Sequence, residues 1–152
     1  MLAARYRLVA ERNAEFLLHE LSEGPGEAKL NGYLEDYTYL IEGLLELYQT
    51  TVDPRWFSAA QELAETMITH FEAPDGGFFD TSDDHETLIT RPRDLQDNAT
   101  PSGNAMAVTA LLKLAGFTNN LRYADTAHQA LAQMQTPTGG GMMSPVSAGF
   151  WP

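Results

Sequence analysis

Leu44, Leu45 and Leu47 recur 67 residues downstream as Leu111, Leu112 and Leu114, and Trp56, Ala60 and Met67 recur as Tyr123, Ala127 and Met134. Each copy runs into a glycine turn, Pro74-Asp75-Gly76-Gly77 in the first and Pro137-Thr138-Gly139-Gly140 in the second. The turns are offset by 63 residues rather than 67. The second outgoing helix is therefore expected to be about one turn shorter, at roughly 3.6 residues per turn. A period this long over helical patterns predicts an array of hairpins, because a single hairpin cannot bury its apolar face alone.

The spacing of apolar residues predicts about five helices. The first runs from about Leu2 to Leu21 and stops at Ser22-Glu23-Gly24-Pro25-Gly26. The second follows Asn31-Gly32, read as its cap, and continues through Tyr37, Leu40, Ile41, Leu44, Leu45 and Tyr48. Asp53-Pro54 supplies a capping residue and a proline at the first helical position for the third. Thr100-Pro101 repeats that signal for the fourth, up to about Ala115, and the fifth covers about Leu121 to Gln135. Hairpins over about 31–72 and 100–135 then share one domain, 1–152, with a long connection at 72–99. The fourth helix is rich in small residues and carries one charge, as an inner helix would. The third and fifth are polar on one side, as outer helices are. In the connection, Phe78-Phe79 and the β-favouring Thr87-Leu88-Ile89-Thr90 argue for order, such as a short hairpin.

Charge and residue usage narrow the function. The formal charge is −12, from 21 acidic against 9 basic residues, so a polyanionic backbone would be repelled and no nucleic-acid partner is expected. Cysteine is absent, which removes disulfides, thiolate metal sites and a cysteine nucleophile. No apolar run approaches the roughly 20 residues of a membrane span. The N-terminus enters an amphipathic pattern containing Glu11 and Arg12 instead of an apolar signal core. No membrane contact is expected, and the cytoplasm is the expected location.

Five segments carry a resemblance. Tyr33-Leu34-Glu35-Asp36-Tyr37, Gly43-Leu44-Leu45-Glu46-Leu47-Tyr48, Asp53-Pro54-Arg55-Trp56, Gly76-Gly77-Phe78-Phe79-Asp80-Thr81 and Asp97-Asn98-Ala99-Thr100-Pro101-Ser102-Gly103-Asn104 stand in order over about two thirds of the chain. Together they resemble the C-terminal helical region of the thioredoxin-domain-containing YyaL-like proteins, whose animal members are called spermatogenesis-associated protein 20. The resemblance implies an all-α chain of helical hairpins forming part of an (α/α)6 toroid, related to the six-hairpin glycosidases and N-acylglucosamine 2-epimerases. It implies no defined activity. The Cys-x-x-Cys of the family's thioredoxin-like domain is absent, so no redox role carries over. A full toroid has six hairpins, whereas two plus one preceding helix are read here, as in a truncated member or a fragment.

In such toroids the inner helices run parallel, so inner-helix starts and the loops leaving outer helices meet at one end. That end would collect Glu35, Asp36 and Tyr37 from one inner start and Asp97, Ser102 and Asn104 from the other. Phe78, Phe79, Asp80 and Arg91 would come from the connection. Carboxylates and aromatic faces suit a carbohydrate or another polar small molecule, and glycosidases place two carboxylates across the scissile bond. Asp36 and Asp97 are the catalytic candidates, and Glu35, Tyr37, Phe78, Phe79, Asp80, Arg91, Ser102 and Asn104 the substrate-binding ones. Each has a structural alternative: Asp97, Ser102 and Asn104 as capping or turn residues, Asp36 as complement to the helix dipole, and Arg91 in an ordinary ion pair. Phe78, Phe79 and Asp80 are expected over the inner-helix starts, near Asp36 and Asp97.

The remaining motifs exclude more than they assign. Glu35, Glu42, Glu46 and Gln49 share one face of the second helix, and their repeat equivalents are Ser102, Thr109, Lys113 and Gly116. His85 in Asp83-Asp84-His85-Glu86 has neither calcium-loop nor zinc-helix spacing, so no metal is expected, and no cofactor fingerprint is present. The competing function is a non-catalytic helical-repeat interaction module, since 67 is close to twice the 34 residues of a tetratricopeptide repeat. A homo-oligomer is expected through the small apolar face of the fourth helix, Ala105, Met106, Val108 and Leu112. The tail from Gly139 to Trp151 is read as a possible second cover.

Overall fold

The computed structural model describes residues 2–22, 32–83, 91–93, 95 and 101–135. Helix α1 spans Leu2–Ser22, α2 Leu34–Thr51, α3 Pro54–Phe71, α4 Gly103–Thr118 and α5 Leu121–Gln135. The chain is all-α: among the described residues the extended backbone is limited to two isolated bridges, Tyr33 with Thr81 and Glu72 with Phe78. α3 has 18 residues and α5 has 15, a difference of about one turn, as the turn offset requires. The expected Thr87–Thr90 extended segment and the tail beyond Gln135 lie outside the described residues.

Apolar periodicity sets the layers. α2 packs along α3, α4 along α5, and α2 against α4, while α1 leans on α2 with a smaller contact. Both inner helices are therefore flanked on several sides, and the core lies between layers at Ile41, Leu44, Trp56, Met67, Phe71 and Leu111, all buried. Burying one such side chain contributes roughly 1.5–3 kcal/mol. At the far end of the inner helices, Tyr48, Phe57 and Phe117 form a ring cluster that joins α2, α3 and α4, with centroids 5.1–5.8 Å apart.

The repeat holds down to individual hydrogen bonds. Thr51 Oγ1 donates to the Leu47 carbonyl and Thr118 Oγ1 to that of Leu114, each at 2.7 Å. Asp53 Oδ1 accepts the Arg55 N–H, and Asn120 Oδ1 accepts the Arg122 N–H. The two arginines then tie successive outer helices together, Arg55 to Glu15 of α1 at 2.8 Å and Arg122 to Glu65 of α3 at 2.7 Å. The pairing with Glu15 raises the Arg55 pKa above its ordinary value. On one side of α4 the copies diverge: Leu45 is fully buried, but its counterpart Leu112 is 41% exposed. α4 covers that side of α2, and no described helix covers the same side of α4.

Two helix starts differ from the sequence reading. The cap of α2 is Tyr33, not Asn31-Gly32, because the Asp36 carboxylate accepts the Tyr33 N–H at 2.9 Å and fixes the first turn there. α4 is capped by Ser102, whose Oγ accepts the Ala105 N–H at 3.2 Å, so Pro101 precedes the cap instead of following it. α4 also runs on past Ala115 to Thr118. Asp53 caps α3 with Pro54 in its first turn, as expected.

Candidate functional site

The loop leaving α3 is folded by its own backbone. Ala73 N–H donates to the Gly77 carbonyl and Phe79 N–H to that of Phe71, both at 2.9 Å, closing a turn through Gly76 and Gly77 at φ +95° and +72°. A Cβ on Gly77 would also sit 3.3 Å from Asn104 Oδ1, so glycine serves both the turn and the close approach. Asn104, fully buried in the first turn of α4, accepts the Phe78 N–H at 2.8 Å and donates to the Phe78 carbonyl at 3.0 Å. Two residues on, the Asp80 carbonyl accepts the Leu34 N–H at 2.9 Å, at the start of α2. The loop thus bridges the starts of both inner helices, as the shared-end geometry requires.

Those backbone contacts place the candidate side chains. Glu35 and Asp80 line one cleft of about 230 Å³ together with Tyr33, Leu34 and Pro92. Asp36 holds the Tyr33 N–H, and with Glu35 it borders a second groove between α1 and α2. Tyr37 and Phe78 are buried in the core, Tyr37 with its ring 5.1 Å from Phe71. Phe79 is half-buried, with the Arg91 guanidinium 4.2 Å and the Arg93 guanidinium 5.4 Å from its ring centre. Arg91 donates to the carbonyls of Thr81 and His70, the latter at 2.9 Å. Ser102 caps α4 and Asn104 ties down Phe78, which are the structural duties open to them from the start. Asp97 lies outside the described residues.

Tyr33, Pro92 and Arg93 are the site residues that the sequence reading passed over. Tyr33 is exposed at the rim of the cleft, and Pro92 is held there because its carbonyl accepts the Asp80 N–H at 2.9 Å. Arg93 pairs with Asp75 at 3.0 Å, and that hydrogen bond holds the Asp75 carboxyl below its ordinary pKa. The alternation Arg91-Pro92-Arg93 was the available signal, since two arginines two apart in extended chain face the same way. Among the described residues no cluster of three histidine, aspartate or glutamate side chains could hold a metal. No described helix is long and apolar enough to cross a membrane.

The helices and the cleft define a class: an all-α hairpin protein with a small cleft, bordered by two carboxylates, at the start of α2. Over 96 residues the chain is 35% identical to spermatogenesis-associated protein 20 of Homo sapiens and equally to that of Mus musculus. The match covers 62% of this chain and 12% of each of those proteins, and it is homology to that part of them. An uncharacterised protein of Caenorhabditis elegans is 28% identical over 104 residues, 68% of this chain and 14% of its own length. The chain therefore spans about 12% of the length of the curated relatives it matches first. No family model matches the chain. No solved structure matches it either.

Proposed function

We propose that this chain is a sector of an (α/α) toroid and that the cleft between Glu35 and Asp80 binds a carbohydrate or a similar polyhydroxyl molecule. One observation carries the reading: two carboxylates, from the start of α2 and from the loop leaving α3, line the same small cleft as the exposed Tyr33 ring. Carboxylates accept charge-assisted hydrogen bonds from sugar hydroxyls, and an aromatic ring packs against the apolar face of a sugar. In this reading Asp36 holds the turn that presents Glu35, and the role is binding. The stacking of α2 against α4 with α3 and α5 behind them supports the toroid.

The test is an amide chemical-shift titration with a panel of neutral mono- and disaccharides up to tens of millimolar. Saturable shifts confined to Tyr33, Glu35 and Asp80, lost in the Glu35→Gln, Asp80→Asn double variant at unchanged melting temperature, are expected. No saturable shift with any member of the panel would overturn the proposal.

A further inference from the structure

Asp75-Gly76, in the turn that leaves α3, is the single Asp-Gly pair of the chain. In such a pair the glycine amide nitrogen can attack the aspartate side-chain carboxyl carbon, because the glycine has no Cβ to block the approach. A C–N bond forms between Gly76 N and Asp75 Cγ, and the amide proton leaves with the carboxyl hydroxyl as water. Water then opens the cyclic succinimide. Attack at Cγ restores aspartate, whereas attack at the main-chain carbonyl carbon breaks its bond to nitrogen and leaves isoaspartate, with an extra methylene in the backbone. The fold cannot escape this lability by replacing the glycine. Gly76 stands at φ +95°, and a Cβ there would lie 3.2 Å from the Gln129 carbonyl oxygen. The aspartate is a different matter, since its counterpart in the sequence repeat is Thr138, which has no carboxyl.

Burial does not protect the carboxyl, because the Asp75 side chain is 65% exposed while that of Arg93 is only 18% exposed. Pairing does. Arg93 Nη1 and Nη2 donate to Asp75 Oδ2 and Oδ1 at 3.1 and 3.0 Å, and this grip lowers the carboxyl pKa. A carboxylate held ionised has no hydroxyl to lose as water. The amide proton that must also leave is engaged, since the Gly76 N–H donates to the Ala73 carbonyl at 2.9 Å. Gln133 Nε2 donates to the Asp75 carbonyl at 2.5 Å, and Arg93 donates to the Gly76 carbonyl, so the main chain is fixed on both sides of the reacting nitrogen. Arg93 itself lies against the Phe79 ring, 5.4 Å from its centre.

We propose that Asp75-Gly76 is a latent isoaspartate site and that Arg93 is the residue that keeps it closed. Loss of the Arg93 grip lets the carboxyl take up a proton and turn towards Gly76 N. Isomerisation then lengthens the turn that presents the Phe78 N–H and carbonyl to Asn104, and it unseats the loop spanning the two inner-helix starts. The site is independent of any ligand in the Glu35–Asp80 cleft.

The test is prolonged incubation of the whole chain in mildly acidic buffer beside a synthetic peptide covering 73–79. Isoaspartate at position 75 is followed by peptide mapping, as a product of equal mass identified by electron-transfer fragmentation. The folded protein should isomerise at least about tenfold more slowly than the peptide, and Arg93→Gln should recover most of that factor. Arg93→Lys should fall between, because an ammonium lacks the planar fork that holds both oxygens. Arg91→Ala loosens the same stretch from its other arginine without touching Asp75, and it should stay at the wild-type rate. Circular dichroism checks that each variant is folded, and Arg93→Lys carries the comparison if Arg93→Gln is not. A wild-type rate equal to that of the peptide, or Arg93 variants no faster than wild type, would overturn the proposal. Arg91→Ala as fast as the Arg93 variants would overturn it too, by making general loosening of the loop the cause.

Discussion

Val52 and Asn119 stand 67 residues apart and adopt the same left-handed backbone, φ 57° and 54°. Each ends an inner helix by donating its N–H to a carbonyl four residues back, Val52 to Tyr48 at 2.7 Å and Asn119 to Ala115 at 2.8 Å. Asparagine tolerates this conformation, but a β-branched side chain in it is strained, by roughly 1–2 kcal/mol.

Val52→Asn should therefore raise stability by about 1 kcal/mol, or roughly 2–4 °C in melting temperature for a chain of this size. Asn119→Val should lower it by a similar amount. Urea unfolding of the two variants side by side is the check, and unmoved midpoints in both would show that the strain is not there.

Asn104 offers a larger effect. Replacing it with leucine keeps the volume but leaves the Phe78 N–H and carbonyl without their buried partner. Each orphaned group costs about 1–3 kcal/mol, so a loss of roughly 2–6 kcal/mol is expected in denaturant unfolding. A loss below about 1 kcal/mol would mean that the loop finds other partners.

Tyr123 sets an alkaline limit. Burial, with a hydrogen bond to Glu65, pushes its phenol up from 10.0 to about 12. The unfolded chain thus releases this proton before the folded one does, and stability falls as pH rises from about 10 towards 12. Below about pH 10 the contribution is fully present. Phenolate absorbance should reveal one late-titrating tyrosine that disappears in Tyr123→Phe, and the variant should lose stability less steeply over that window.

Arg91 joins two carbonyls and covers a ring, so its variants should rank. Arg91→Ala leaves the Thr81 and His70 carbonyls without this donor and is expected to cost about 1–3 kcal/mol. Arg91→Lys should recover part of that, since an ammonium lacks the planar fork that reaches both. Equal midpoints for all three proteins would place the anchor of the loop elsewhere.

Much of this architecture was readable from residue spacing. The 67-residue offset located both hairpins, and the glycine turns located the loop that spans the inner-helix starts. What the spacing could not resolve is how each polar residue divides its duties. Ser102 and Asn104 could contact a ligand or the backbone on composition alone, and only the arrival of Phe78 beside α4 assigns Asn104 to the loop. Spacing misplaces the start of α2 because its stabilising carboxylate, Asp36, lies inside the helix and reaches back to Tyr33. Phe78 and Phe79 are neighbours of identical chemistry. One is core and the other lies under two guanidinium groups, a distinction set by which carbonyls the loop can reach.

Lys113 gives the two hairpins an order. Its ammonium pairs with Glu42 and with Glu46, the latter at 3.1 Å, and these pairings raise its pKa above the ordinary value. Glu46 is the residue that Lys113 replaces one repeat later. Two α2–α3 hairpins placed side by side would confront glutamate with glutamate where glutamate now meets lysine. The joint is therefore keyed: the hairpins share a packing pattern but are not interchangeable, and a tandem duplicate of the first would resist the seat that the second takes.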